Sequence, residues 1–409
     1  MSKTTTTFVV VAALALGVSA CGGSDEPVDA TDAAAVTEAP AADTNEASET
    51  ADSAGAEPTD SVDPADSADS GTQQPGDGVT VTMARGDWSS GYFQAALYRA
   101  LLQELGYEVS DPADLELAPS TFYIALAQGD ADFWVNSWYP GHASWLTNEL
   151  PDGSTVGDHV SAIGEEMVAG GLQGFLITAS FADEFGVTTL DQLNDDPTIR
   201  AEFDKYDAKP GDGIAQIFGC QESYNCDDII ESQIAFSGWD KIEQTVAGYD
   251  AMVAQAVAQA NKGEPMVIYT WTPSSYVTQL RPGDNVYWLA MDSILDDSNP
   301  LGIDGGENFA QLPGQAGIPA EQCPAAADAG TCQLGWITAD IQVTANNEFL
   351  DANPAAKVLF EQVKLSVIDV SEQTVAQDNG ATPEELAQQW ITDHRDLVDT
   401  WLEAARAAG

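Results

Sequence analysis

Basic side chains are scarce in this sequence. Thirteen lysines and arginines stand against 66 aspartates and glutamates, so the 409 residues carry a formal net charge of −53 at pH 7. A chain this acidic repels polyanions, which argues against nucleic acid or an anionic membrane surface as a partner. A DNA-binding or RNA-binding protein is therefore excluded.

Long apolar runs are missing as well. None reaches the roughly 18 to 20 residues that a membrane-spanning helix requires, which excludes a polytopic membrane protein. The sequence nevertheless contains 44% hydrophobic residues. That proportion is enough for one large or two medium domains with apolar cores.

The N-terminus has the pattern of a secretion signal. A charged Lys3 precedes a short apolar stretch from Phe8 to Leu16, and two small residues stand directly before Cys21. This order is typical of signal peptides, and it resembles the bacterial lipobox, in which the cysteine is lipidated after cleavage. We therefore expect residues 1–21 to form a lipoprotein signal peptide with Cys21 as the lipid anchor. A plain signal peptide is the alternative.

Residues 22–77 form an acidic, low-complexity segment. They contain fifteen carboxylates and no aromatic residue, lysine or arginine. Such a composition cannot bury enough apolar surface to order itself, and the like charges extend the chain. The segment is therefore predicted to be a disordered tether, with a partner-binding acidic tail as the alternative.

The four remaining cysteines form two close pairs. Cys220 and Cys226 are six residues apart, and Cys323 and Cys332 are nine apart, each pair near turn-forming residues. This spacing predicts two local disulfides in an oxidising compartment. A zinc site is the competing interpretation, but neither a CxxC spacing nor a nearby histidine supports it.

Strand-like and helix-like segments alternate along the rest of the chain. The β-rich run 79–84 precedes a helical stripe over 93–105 that ends at Gly106, and a short helix at 119–128 precedes a strand at 131–136. Such alternation predicts an α/β architecture.

Further elements follow in the second half of the chain. Strands are predicted at 171–177 and 266–269, and the second of these breaks into a loop before Pro273. Helices are expected to begin at Asn353-Pro354 and at the capping box that Thr382 opens.

Three segments carry aromatic residues in loops or at strand ends, namely 136–142, 219–226 and 269–273. In open α/β sheets, loops after the carboxyl ends of strands are where ligands bind. Converging aromatic faces there would attract a quaternary ammonium group, each contributing on the order of 0.5 to 2 kcal/mol when desolvated. The alternative for these tryptophans is packing in a core or an interface.

At these segments the sequence resembles the glycine betaine and proline betaine binding proteins of ABC-type osmoprotectant importers. The resemblance covers residues 78–409 and rests on several motifs in the family's order. The motifs are Leu105-Gly106-Tyr107, the Trp-x-Pro-x-His order of Trp138, Pro140 and His142, the cysteine loop opening with Gly219-Cys220, Tyr269-Thr270-Trp271-Thr272-Pro273, and Asn353-Pro354-Ala355-Ala356-Lys357.

The resemblance implies an aromatic cage around the methylated nitrogen of the ligand. Trp138 and Trp271 match cage tryptophans, and Tyr224 stands where the family has a third tryptophan. If the smaller ring of Tyr224 leaves space in the cage, the cage geometry or the ligand preference differs from that of the family. Trp88 and Tyr92, after the first strand, are further candidates for the cleft, with surface or hinge packing as the alternative.

The resemblance also implies a separate site for the ligand carboxylate, formed by His142 and the backbone N–H groups of Asn225 and Cys226. The charge balance favours the same arrangement. In a chain of −53 the anionic end needs local donors, and no lysine or arginine lies in the three segments. A surface-loop histidine is the alternative for His142.

The fold implied is periplasmic-binding-protein-like, with two α/β lobes, a hinge of two crossovers and the ligand cleft between them. The first lobe would comprise 78–171 and 290–409, and the second 172–289. The excursion 296–332 departs from the family, and we expect Cys323 and Cys332 to close it. The protein is expected to be a lipid-anchored, extracytoplasmic monomer that delivers its ligand to an ABC permease in the cytoplasmic membrane.

Two other functions stay open at this point. A receptor for choline, carnitine or a sulfonium osmolyte would use the same cage. An extracytoplasmic hydrolase would need a nucleophile with a base, but His142, His159 and His394 lie in no GxSxG or HExxH setting. We expect no catalytic residue, metal or cofactor.

Overall fold

The computed structural model describes residues 74–409, apart from the side chain of Val277. The predicted signal peptide, Cys21 and the tether over 22–73 lie outside these residues. Residues 74–77, which the sequence places in the tether, form a turn against the folded part. The Gly76 N–H donates to the Leu105 carbonyl at 2.8 Å, and Arg406 Nε donates to the Gln74 side chain at 3.2 Å. The packed part of the chain therefore begins before residue 78.

Short strands alternate with helices along the described chain. The strands are β1 (Thr80–Val81), β2 (Arg85–Gly86), β3 (Glu108–Val109), β4 (Glu116–Leu117), β5 (Phe133–Tyr139), β6 (Val160–Gly171), β7 (Gln173–Thr178), β8 (Ala215–Phe218), β9 (Ile242–Thr245), β10 (Val267–Trp271), β11 (Val286–Leu289), β12 (Gln315–Ala316), β13 (Cys332–Gln333) and β14 (Ala339–Asn346). The α-helices are α1 (Tyr92–Glu104), α2 (Pro119–Gln128), α3 (Ala179–Phe185), α4 (Asp191–Asp195), α5 (Pro197–Phe203), α6 (Asn225–Ser237), α7 (Tyr249–Lys262), α8 (Ala326–Ala329), α9 (Asn347–Ala352), α10 (Pro354–Gln362), α11 (Val367–Asp378), α12 (Pro383–Asp393) and α13 (Arg395–Arg406).

The first lobe is built on the antiparallel sheet β5-β14-β6. A parallel bridge from Met83 to Phe133 joins this sheet to the N-terminal strands, where β1 pairs with β3 and β2 with β4. Helix α1 packs on β5 and α10 on β6. Both helices bury apolar faces on the sheet, which is the main source of their stability.

The second lobe is built on the mixed sheet β11-β7-β10-β8-β9. Strands β8, β9 and β10 run parallel, while β7 is antiparallel to both β10 and β11. Helices α3, α6 and α7 pack against this sheet. The two sheets with their helices form two α/β lobes, so the fold class predicted from the sequence is confirmed.

Local signals in the sequence predicted several elements closely. The short helix expected at 119–128 is α2, and the capping box at Thr382 forms, with its hydroxyl accepting from the Glu385 N–H. The strand expected at 266–269 is longer than predicted. It continues to Trp271 because this residue stays in register with Gln173 of β7.

Both expected disulfides form, Cys220–Cys226 and Cys323–Cys332. The second closes the excursion over 296–332, in which β12 pairs with β13. The Trp288 N–H donates to the Gln322 carbonyl and the Met291 N–H to the Gln333 carbonyl, each at 2.8 Å. These bonds attach the excursion to the edge of the second sheet, beyond the predicted lobe boundary near residue 290.

Glu166 is a buried carboxyl in β6, only 2% exposed. Burial raises its pKa to about 8, although the charge of Lys364 opposes the shift. Neither carboxyl oxygen has a hydrogen-bond partner among the described residues. The group is therefore protonated at neutral pH, since the neutral form is cheaper to bury.

We expect Glu166→Gln to stabilise the protein increasingly as pH rises from 4.5 to 8. Between these values the folded state holds a proton on Glu166 that the unfolded state has released, so the wild type loses about 1.4 kcal/mol of unfolding free energy per pH unit. Glutamine has no such ionisation. Urea denaturation at pH 5 and pH 8 measures the difference.

The exposed neighbour Glu165 supplies the matched control. We expect Glu165→Gln to leave the pH dependence of stability unchanged. A Glu166→Gln variant whose stability relative to wild type is the same at both pH values would contradict the prediction.

Candidate functional site

A cavity lies between the two lobes, with about 380 Å³ of atom-free space that includes its opening to solvent. Its walls come from both sheets and from loops that follow their strands. The lining residues are Trp88, Pro119, Trp138, His142, Gln173, Tyr224, Asn225, Cys226, Tyr269 and Trp271. All six residues expected to contact the ligand line this cavity, and of the two further candidates Trp88 does and Tyr92 does not.

Trp138 forms one wall from near the end of β5. Its ring lies against Gly171, where an added Cβ would come within 2.7 Å of the indole. Its Nε1–H donates to Asn136 Oδ1 at 2.7 Å. A glycine is thus needed at 171 for the indole to lie against the strand, and the side chain is 7% exposed.

Trp88 forms the adjacent wall, directly after β2. Its ring lies close to Gly86 and makes an edge contact with Trp134, with centroids 5.4 Å apart. Its Nε1–H donates at 3.0 Å to the same oxygen of Asn136 that accepts from Trp138.

Tyr92 points elsewhere although it is only four residues from Trp88. The Arg85 guanidinium carbon lies 3.9 Å from the centroid of its ring. Burial is the main cause that raises the pKa of the Tyr92 hydroxyl to about 12. Tyr92 therefore makes a cation–π contact on the first lobe, in agreement with the packing alternative.

The second lobe contributes Tyr269 and Trp271 from β10. These residues are two positions apart, so both side chains project from the same face of the strand. Tyr249 of α7 supports them. Its ring is 4.3 Å from that of Trp271, and its hydroxyl donates to the Tyr269 carbonyl at 2.7 Å.

Tyr224 stands at the N-cap of α6, inside the Cys220–Cys226 disulfide loop. Its ring packs edge-on against Trp88, with centroids 5.4 Å apart, and its hydroxyl donates to the Asp87 carbonyl at 3.3 Å. Burial raises the pKa of this hydroxyl well above its usual range. Tyr224, the smaller ring where the family has tryptophan, therefore packs beside the Trp88 indole of the first lobe.

The N-terminus of α6 faces the same cavity. Asn225 and Cys226 are its first two residues, and N–H groups in the first turn of a helix have no partner within that helix. The positive end of the helix dipole adds to their attraction for an anion. Gly141 of the first lobe allows close approach, because an added Cβ there would be 2.6 Å from Asn225 Nδ2.

His142 is a neutral hydrogen-bond donor in this site. Its Nδ1 is 3.2 Å from the Trp138 N–H, which can only donate, and 3.0 Å from the Tyr123 hydroxyl. Burial lowers the pKa of the imidazole to about 3. The ring proton is thus on Nε2, the remaining nitrogen, and it is available to an acceptor in the cavity.

None of the ten residues that line the cavity carries a formal charge at neutral pH. A cation would be held there by aromatic faces, and an anionic group by the His142 Nε2–H and helix N–H groups. The arrangement therefore fits a small zwitterion, with its positive and negative ends bound by different parts of the wall.

Sequence reasoning missed Pro119, Gln173 and Tyr269, which line the cavity, and Asn136, which accepts from two of its indoles. The period-two pattern of a strand could have identified Tyr269 from Trp271. Gln173 lies directly opposite Trp271 in the β7–β10 ladder, and its Oε1 accepts from the Tyr269 hydroxyl at 2.6 Å. No sequence signal pairs these two strands in that register.

Within residues 74–409, no cluster of His, Cys, Asp or Glu side chains is arranged to hold a metal ion. In the same part of the chain no helix combines the length and apolarity needed to cross a membrane.

Residues 79–393 match the family described as the substrate binding domain of ABC-type glycine betaine transport systems. The chain is 30% identical over 339 residues to the glycine betaine-binding periplasmic protein OusX of Dickeya dadantii, covering 82% of this chain and 92% of that protein. It is 29% identical, with the same coverage, to the glycine betaine/proline betaine-binding periplasmic protein of Salmonella typhimurium.

Solved structures with a similar fold include lactococcal OpuAC in its closed form with glycine betaine. That comparison has a TM-score of 0.54 and 17% identity, and covers 79% of this chain and 99% of the other. An ABC-transporter choline binding protein in complex with choline gives a TM-score of 0.55 and 17% identity, with 80% and 96% covered. At these identities the likeness concerns the fold alone.

Proposed function

Because the chain belongs to the family of substrate-binding domains of ABC-type glycine betaine transport systems, we propose that it captures glycine betaine or a related betaine in the cavity between its lobes. The ligand's methylated nitrogen would lie among Trp88, Trp138, Tyr224 and Trp271. Its carboxylate would accept from the His142 Nε2–H and from the N–H groups of Asn225 and Cys226.

The observation that carries this proposal is the division of one uncharged cavity into an aromatic part and a donor part. Aromatic faces favour a diffuse positive charge. Unpaired N–H groups at the start of α6 and a neutral histidine favour a negative one. A small ligand that carries both charges satisfies both parts.

Choline is the second candidate within this class, since it offers the same quaternary ammonium group. It lacks a carboxylate, so it would leave the donors at His142 and at the start of α6 without an anionic partner. Unpaired buried donors reduce affinity. The donor part of the cavity therefore favours a betaine over choline.

The cellular role follows from the same proposal. The relatives are periplasmic, which supports an extracytoplasmic location, and we infer that Cys21 carries a lipid anchor and that residues 22–73 act as a tether. The protein would work as a monomer, with one lobe boundary near residue 172 and the second beyond the excursion over 296–332, which is attached to the second sheet. It would deliver ligand to an ABC permease rather than transform it.

Isothermal titration calorimetry of residues 74–409 tests the proposal directly. We expect one site per chain for glycine betaine, with proline betaine bound comparably and choline at least about tenfold more weakly, given the loss of charge-assisted hydrogen bonds. Dimethylsulfoniopropionate and carnitine complete the panel. A folded domain that binds no member of the panel would refute the proposed function.

A further inference from the structure

We propose that Asn136 is a positioning residue of the binding site, which holds the indoles of Trp88 and Trp138 in one arrangement before the ligand arrives. The inference rests on the proposed function, because it assigns a role to those two indoles as cavity walls. It adds a residue that does not itself line the cavity.

The central feature is one oxygen that accepts two hydrogen bonds. Asn136 Oδ1 lies 2.7 Å from Trp138 Nε1 and 3.0 Å from Trp88 Nε1. A carbonyl oxygen has two lone pairs, and here each serves one indole. Asn136 is 2% exposed, so water does not compete for these bonds.

The orientation of the Asn136 amide is set by a second pair of bonds. Its Nδ2 donates to Gln94 Oε1 at 2.6 Å, and Gln94 Nε2 donates to the Ser90 carbonyl at 2.8 Å. Because Nδ2 faces an acceptor, Oδ1 faces the two indole donors. Ser90 is two residues after Trp88, so the network closes on the segment that carries one of the indoles.

The two indoles come from different elements. In the described structure they make no direct polar contact with each other, and the Asn136 oxygen is the acceptor that they share. Trp138 is in β5 and Trp88 follows β2, 50 positions earlier in the chain. Asn136 therefore fixes the angle between two walls that strand geometry alone does not relate. Since Tyr224 of the second lobe packs edge-on against Trp88, the position of a third ring depends on the same amide.

Such fixed walls increase affinity because the ligand does not have to order them. In Asn136→Leu, two indole N–H groups lose their acceptor and both rings are free to turn. We expect the dissociation constant for glycine betaine to rise about tenfold, within the range of coupling between contacting residues, while the number of sites per folded chain stays at one.

A double-mutant cycle separates positioning from general damage. In the Trp88→Phe/Trp138→Phe background the rings remain but the donors are gone, so adding Asn136→Leu should change the dissociation constant less than twofold. The same tenfold loss in both backgrounds would overturn the proposal, as would unchanged affinity of the single variant.

Asn353→Leu is the matched control. Asn353 is also buried, and its Nδ2 donates to the Phe349 carbonyl at 2.9 Å, away from the cavity. It should lower thermal stability and leave the dissociation constant unchanged. A comparable loss of affinity in this variant would assign the Asn136 effect to general destabilisation.

A ligand-free measurement keeps the inference testable if the wild type binds no betaine. Hydrogen exchange of ¹⁵N-labelled indoles should show the Trp88 and Trp138 Nε1–H groups protected in the wild type and exchanging at least about tenfold faster in Asn136→Leu. Unchanged exchange would refute the role of Asn136. Failure of wild-type binding alone would refute only the proposed function.

Discussion

Trp138→Ala is expected to weaken glycine betaine binding by about 100-fold or more. The variant removes a desolvated aromatic face, which is worth up to about 2 kcal/mol, together with apolar contact area of similar value. Each 1.4 kcal/mol corresponds to about a tenfold change in the dissociation constant. Calorimetric titration at equal folded concentrations measures the loss.

Replacing a buried tryptophan by alanine also costs stability, by about 3 to 5 kcal/mol, so folding must be checked by circular dichroism. Trp138→Phe keeps an aromatic face and should lose only about tenfold. Trp390→Phe is the control, since Trp390 is buried in α12 against Trp401 and should leave binding unchanged. Wild-type affinity in a folded Trp138→Ala protein would show that this indole is not a cage wall.

His142→Ala is expected to weaken glycine betaine by about 10- to 100-fold and choline by less than about threefold. The imidazole Nε2–H would donate to a carboxylate, and hydrogen bonds to charged groups are worth about 1.5 to 3 kcal/mol. Choline has no carboxylate, so it does not form this hydrogen bond and does not lose it in the variant. The ratio of the two dissociation constants in one preparation cancels any change in the folded fraction.

His142→Gln gives an independent measure, because an amide N–H can replace the donor in part. We expect its betaine affinity to lie between those of wild type and His142→Ala. Equal losses for betaine and choline in both variants would place the carboxylate elsewhere in the cavity.

The affinity for glycine betaine should be constant between pH 8 and pH 6. Burial lowers the pKa of His142 to about 3, so the ring stays neutral across a range in which an exposed histidine gains a proton near pH 6.5. Binding that tightens as pH falls through 6.5 would show instead that the imidazole titrates and that a charged histidine holds the carboxylate.

The lowered pKa of His142 also makes the free energy of unfolding depend on pH, and this dependence has the opposite sign to the one that Glu166 causes. Unfolded His142 takes up a proton below about pH 6.5, whereas the folded ring does so only near its lowered pKa, so His142 destabilises the fold as pH falls in this range. Glu166 destabilises it as pH rises from 4.5 to 8. Between pH 4.5 and 6.5 the two effects oppose each other.

Much of the candidate site could be predicted from the sequence, because three short aromatic segments pointed to the cleft and the family resemblance indicated which of their residues would contact the ligand. The six residues expected to contact the ligand lie in three short segments that end strands or cap a helix, and all six line one cavity. The disulfide of Cys220 and Cys226 spans six residues, so its pairing also follows from proximity along the chain. Helix starts at prolines and capping boxes are local in the same sense.

Tertiary structure alone decided which other groups complete the site. Trp88 and Tyr92 are nearly adjacent and of the same aromatic kind, yet one lines the cavity and the other lies against Arg85. Asn136 meets Trp88 across 48 positions, and Gln173 meets Trp271 through a strand register.

The physical reason is the range of the interactions concerned. Turn chemistry, capping and short disulfide loops depend on neighbours within a few residues, so the sequence by itself determined the α/β class, the aromatic segments and the histidine. Packing of one ring against another, and sharing of one amide oxygen by two indoles, depend on how distant strands pair. Those contacts exist only when segments distant in the sequence have come together in the folded lobes, and they determined the shape of the cavity.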